Sequence, residues 1–88
     1  MPIISQFYGI IIKMYLKESE KHHKEHIHIN YNEYNAVYSI TGEFIEGYLP
    51  TKQRKMVEAW IVIHESELEI LWKKIKYSGE YFKIDPLK

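Results

Sequence analysis

The chain contains no cysteine, so no disulfide can staple it and no thiolate can serve as nucleophile or metal ligand. It has no long hydrophobic run. The longest apolar stretches, Ile10-Ile11-Ile12 and Ala59-Trp60-Ile61-Val62-Ile63, fall well short of the roughly 18 to 20 residues that cross a bilayer. It has no excess of one charge, because 12 basic and 12 acidic side chains cancel. That removes the simplest electrostatic argument for bulk nucleic-acid binding and leaves only local patches. Neither a Gly-rich phosphate loop nor a nucleophile elbow is present, which disfavours nucleotide hydrolases and serine hydrolases of that type. The segment Met1-Pro2-Ile3-Ile4-Ser5-Gln6 lacks the basic start and cleavage site of a secretory signal, so the expected compartment is the cytoplasm.

What is present is apolar and aromatic content, 45% and 15% of 88 residues, enough to build one core without a covalent staple. The expectation is a single domain over residues 1–88. From Phe7 to Lys17, residues Tyr8, Ile10, Ile12, Met14 and Leu16 alternate with Gly9, Ile11, Lys13 and Tyr15, the period of two that marks a half-buried strand. Residues 18–25 have no apolar side chain and read as an exposed loop. His26 to Tyr31 alternates again, with Ile27, Ile29 and Tyr31 on one face and His26, His28 and Asn30 on the other.

Asn32-Glu33 and Thr41-Gly42 are turn chemistries that accept positive φ, and they connect His26–Tyr31 to a strand from Tyr34 to Ile40 and then to one from Phe44 to Tyr48. Short sequential turns predict a four-stranded antiparallel meander. Pro50 stops the sheet and Thr51 suits an N-cap. Val57, Trp60, Ile61, His64, Leu68, Leu71, Trp72 and Ile75 then recur every three or four residues, as in an amphipathic helix. An unbroken helix to Tyr77 would run about 40 Å, long for so small a domain. A break near His64-Glu65-Ser66 is therefore open, leaving one long or two consecutive C-terminal helices packed on the sheet. Gly79 ends the helical part, and Phe82 to Leu87 is expected to pack back as an extended tail. The fold class is α+β.

Four histidines, His22, His23, His26 and His28, fall within seven positions. Two apart on a strand, His26 and His28 project from one side about 6 to 7 Å apart, close enough to converge on one metal ion or one phosphate. With His22 as a third ligand they form a candidate site for zinc or another divalent transition metal, and Glu33, Glu46 and Asp85 are further donors by residue type alone. The same imidazoles suit RNA cleavage beside a 2′-hydroxyl, which needs a base, an acid and a cation for the phosphate. In that reading His26 and His28 are base and acid, Lys13 or Arg54 the phosphate contact, and Tyr34 or Tyr31 a stacking surface or proton donor. A blander reading leaves the histidines solvated, the tyrosines and tryptophans as packing, and His64 as a hydrogen-bonded core residue.

The opening Pro2-Ile3-Ile4-Ser5-Gln6-Phe7-Tyr8-Gly9-Ile10, the His22…His26-Ile27-His28 cluster, Glu33-Tyr34-Asn35-Ala36, the Gly42…Glu46-Gly47-Tyr48-Leu49-Pro50 exit and the Trp60…His64-Glu65…Leu68…Trp72 helix together resemble the small prokaryotic domain-of-unknown-function 4160 family. The family's loop carries prolines where His23, Lys24 and Glu25 stand here. The resemblance implies a pair of the toxin and antitoxin type, a small partner protein encoded nearby, and RNA cleavage as the activity. Three expectations follow: a toxin-like component acting on RNA; a non-catalytic protein- or nucleic-acid-binding module, the antitoxin-like partner; and a His-ligated metal-dependent hydrolase. Self-association stays open.

Overall fold

The computed structural model describes residues 3–14 and 25–88. Its elements are β1 (Ile3–Phe7), β2 (Ile10–Lys13), β3 (His26–Tyr31), β4 (Tyr34–Ser39), β5 (Phe44–Gly47), α1 (Thr51–Ile63) and α2 (Glu65–Ser78). The strands lie in the order β1-β2-β3-β4-β5, each antiparallel to the next.

Among the described residues there are five strands where four were expected. The single strand predicted from Phe7 to Lys17 is two, folded back at Tyr8-Gly9 so that Phe7 pairs with Ile10. Both turn residues have positive φ, 48° at Tyr8 and 79° at Gly9, the geometry of a two-residue hairpin turn of the I′ kind. The described part of that stretch ends at Met14, so the expected strand through Tyr15, Leu16 and Lys17 lies outside the described residues. The Asn32-Glu33 connection stands as expected, with Asn32 at φ 52° between the paired Tyr31 and Tyr34.

One face of the sheet carries the core. Ile10, Ile12, Ile27, Ile29 and Tyr38 are wholly buried on it, and Val57, Trp60 and Ile61 of α1 with Leu68, Leu71 and Trp72 of α2 close over them. Each such aliphatic side chain contributes about 1.5 to 3 kcal/mol through removal from water. A bulge in β1 between Ile3 and Ser5 turns both Ile4 and Ser5 inward. At β5, Gly47 sits at φ 97°, and a Cβ there would collide with the backbone of Asn35 and lie 2.7 Å from the Ala36 Cα. Only glycine lets β5 close on β4 at this point.

The helical part is broken, at His64. This residue departs from helical geometry with φ −112° and ψ 21°, donates its N–H to the Trp60 carbonyl at 3.0 Å and accepts from Leu68 N–H at 2.9 Å. Its ring packs 5.3 Å from that of Trp60, and Nδ1 lies 2.5 Å from Glu67 Oε1. Helix α2 begins at Glu65, so Ser66 lies inside it and does not act as its N-cap. Pro50, not Thr51, occupies the N-cap of α1, and no side chain caps either helix start. Gly79 terminates α2 in the left-handed region at φ 74°. Beyond it the tail returns: the Ile84 N–H donates to the Ile4 carbonyl at 2.8 Å, and the Trp60 indole N–H donates to the Asp85 carbonyl at 2.9 Å. The expected packing of Phe82 to Leu87 is thus present, with Ile84 buried in the core.

Candidate functional site

Strand register decides which polar residues meet on the second face of the sheet. Lys13 pairs with His28, His28 with Val37, and Val37 with Glu46. These four residues form one row across β2, β3, β4 and β5. Neighbouring strands are spaced about 4.8 Å apart, so Lys13 stands directly beside His28, and Glu46 stands two strands beyond His28, about 10 Å across the sheet. A second row next to it pairs Ile11 with Asn30 and Asn30 with Asn35, and the Asn30 amide donates to the Asn35 side-chain oxygen. Together Lys13, His28, Asn30, Asn35, Glu46 and Gly47 border an open groove of about 420 Å³.

The row combines a cation, an imidazole and a carboxylate on rigid strands. Lys13 and His28 are half-buried, Glu46 is exposed, and Val37, 7% exposed, forms the apolar floor between the last two. Such a set can neutralise an anion at one end and exchange protons at the other. Register is what a sequence leaves unspecified between strands joined by a long connection. For that reason the sequence offers Lys13 as a cation and Glu46 as a donor by residue type alone, without placing either, and gives no sign that Asn30 and Asn35 belong to the site.

Of the other expected site residues, His26 alone adjoins the row among those described. His26 sits two residues before His28 on β3, its ring centroid 5.1 Å from that of His28, as the strand period requires. It is not a solvated side chain, however: it is 2% exposed, with the Trp72 ring 5.5 Å away. Tyr34 lies on the core side of β4 at the hairpin end, its ring near-parallel to that of Tyr31 at 6.4 Å and 5.5 Å from Tyr48. Arg54 belongs to α1 and borders a different cavity, about 190 Å³, with Phe44, Tyr48, Leu49 and Glu58. Lys13, His26 and His28 are therefore brought together, and Tyr34 and Arg54 are not with them. His22 and His23 lie outside the described residues. Among the described residues, no three His, Asp or Glu side chains are grouped as metal ligands.

One buried phenol is perturbed. Tyr38, wholly buried, donates its hydroxyl to Glu58 Oε2 at 3.0 Å. Burial first, and then the hydrogen bond and charge of Glu58, push its pKa far above the ordinary phenol value, opposed by Arg54. It serves the core, since it faces the helices and not the groove.

The whole of this sheet from Gly9 onward, and the helices as far as Lys73, fall within one family. The chain belongs to the family described as Domain of unknown function (DUF4160), whose model matches residues 9–73. No curated protein and no solved structure matches the chain. Among the described residues no helix is long and apolar enough to cross a membrane.

Proposed function

We propose that the protein is the toxin-like component of a prokaryotic toxin and antitoxin pair and acts on RNA at the Lys13–His28–Glu46 row. The observation that carries this reading is the row itself, with cation, imidazole and carboxylate in register on one open sheet face. In RNA cleavage the 2′-oxygen attacks the adjacent phosphorus, the bond from phosphorus to the 5′-oxygen breaks, and a 2′,3′-cyclic phosphate forms. A base accepts the 2′-hydroxyl proton and an acid returns one to the departing 5′-oxygen. His28 and Glu46 supply that pair across a gap wide enough for a phosphodiester, and the Lys13 ammonium offsets the charge that builds on the phosphoryl oxygens. Asn30 and Asn35 offer amide groups to the adjoining nucleotide. His26 supports the imidazole of His28 from behind.

The test is induction of the wild-type chain alone in a bacterial host, followed by growth and total-RNA integrity, beside His28→Ala and Lys13→Ala variants matched for folded protein. Growth arrest with RNA loss, abolished in both variants, is the expected result. Normal growth and intact RNA with abundant folded wild-type protein would overturn it. That outcome would favour the non-catalytic module, for which the observation is the outer edge of β5: no described strand pairs there, and Phe44 and the adjoining Tyr48 are 52% and 62% exposed.

A further inference from the structure

At the opposite end of the sheet from His26, the β1–β2 turn, the β3–β4 turn and the exit of β5 come together. The hairpin pairing of Tyr31 with Tyr34 sets their rings near-parallel, 11° apart in plane and 6.4 Å between centroids. The Tyr48 ring continues the series 5.5 Å from Tyr34. Gly9 of the β1–β2 turn lies against the Tyr31 ring, where a Cβ would come 3.4 Å from it, so the accessible end of the series is the one away from this turn. The series rises from half-buried Tyr31 and Tyr34 to Tyr48, which is 62% exposed. Its outer end meets a cation: Tyr48 and Arg54 border the same cavity of about 190 Å³. Exposed Lys52 and Lys55 flank Arg54 on the first turns of α1.

From this juxtaposition we infer that Tyr34, Tyr48 and Arg54 form a binding subsite for unpaired nucleotides of a single-stranded RNA, separate from the Lys13–His28–Glu46 row. Aromatic rings take the faces of unstacked bases, and a guanidinium beside them takes the backbone phosphate. A duplex cannot use such a platform because its base faces are already stacked. The inference rests on the reading that the chain engages RNA, and not on the reading that it cleaves it. It also assigns a joint role to Tyr34 and Arg54, which the groove leaves aside. The one carboxylate on α1, Glu58, borders the same cavity and accepts from the Tyr38 hydroxyl, and the three cations Lys52, Arg54 and Lys55 at this helix start outnumber it.

The experiment is fluorescence anisotropy with a 5′-fluorescein, mixed-sequence 12-mer carrying 2′-O-methyl sugars, which cannot be cleaved at a 2′-hydroxyl. Wild type, Tyr48→Ala, Tyr34→Ala, Tyr34→Phe and His28→Ala are compared, each checked for folding by thermal melting, with an unmodified RNA cleavage assay alongside. Loss of affinity of about tenfold for Tyr48→Ala, with Tyr34→Phe binding as wild type and His28→Ala still binding while cleavage is lost, is the expected pattern. A wild-type chain that does not bind the 12-mer, or Tyr48→Ala and Tyr34→Ala variants that bind as tightly as wild type, would overturn the inference and leave the tyrosines to a protein partner. Binding that depends on the tyrosines in a wild-type chain that cleaves no RNA would support the subsite and remove the catalytic reading.

Discussion

His28 and Ile29 are neighbours in the chain and opposites in the fold. Ile29 points into the core with Ile12 and Ala36 beside it, while His28 points the other way, between Lys13 and Val37. The same contrast runs along the sheet. On the helix side the wholly buried residues are aliphatic or, at Tyr38, hydrogen-bonded to a helix side chain. On the groove side a half-buried cation, imidazole and amide and an exposed amide and carboxylate stand around one buried valine. Because the strand period is two, a single backbone positions both sets, and the stiffness that the core gives the strands is what fixes the groove. The lesson is a division of labour by side-chain parity: one parity stabilises, the other is available for chemistry.

The sharpest way to break that comparison is the adjacent pair. Ile29→Ala removes buried methylenes from a filled core and is expected to lower unfolding stability by about 2 to 5 kcal/mol in urea titration. His28→Ala is expected to change stability by less than about 1 kcal/mol, while RNA degradation falls by about a hundredfold or more. If His28→Ala costs as much stability as Ile29→Ala, the groove face is a second core and the division fails.

Tyr38 sharpens the comparison from the core side. Replacing it with Phe removes the hydroxyl that donates to Glu58, and about 1 kcal/mol of stability should go with it near neutral pH. The pH dependence has a definite sign. A phenol whose folded pKa is raised contributes its full stability below the unfolded value, about 10, and loses it as the pH climbs above that. Wild-type stability should therefore fall more steeply than that of Tyr38→Phe between about pH 10 and the folded pKa, as measured by denaturant titration in alkaline buffers. Parallel curves would mean that the buried phenol is not held neutral.

The smallest effect belongs to the first hairpin. Tyr8 occupies a left-handed conformation, φ 48°, which asparagine adopts more easily. Tyr8→Asn is expected to raise stability by about 0.5 to 1 kcal/mol without altering RNA degradation, because this position belongs to neither the groove nor the core. A loss of stability would assign the exposed Tyr8 ring a packing role on Phe7, whose ring lies 6.4 Å away.

How much of this was legible beforehand follows the same parity. The helical stripe from Val57 to Trp72, the two later turns, the Gly79 stop and the returning tail could all be read from local patterns, since helix period, turn chemistry and capping act over a few residues, whereas the choice between one helix and two stays open in the sequence. The first hairpin was not, because Ile10, Ile12 and Met14 keep an even-numbered alternation that extends back through Tyr8, and a tyrosine does not advertise a turn. The burial of His26 was not legible either: alternation assigns it to the polar side but says nothing of Trp72 reaching it from α2. The Lys13–His28–Glu46 row needs the register of three strand pairs. Only one of these, β3 with β4, is set by a two-residue turn visible in the sequence.

The hydrogen bond from Ile84 to Ile4 bears on how the chain assembles and comes apart. Every sheet pairing joins consecutive strands, so the meander can zip up from local contacts, a topology that favours rapid folding. The Ile84–Ile4 link instead spans eighty positions and can close only after the sheet and both helices are in place, with the closure entropy of a long loop against it. It is the last stitch made and the first to open. Once it opens, the β1 edge and the Trp60 indole N–H lose their partners while the rest of the sheet stays intact. In hydrogen exchange, the Ile84 amide should therefore report a local opening well before the strands beneath it report global unfolding.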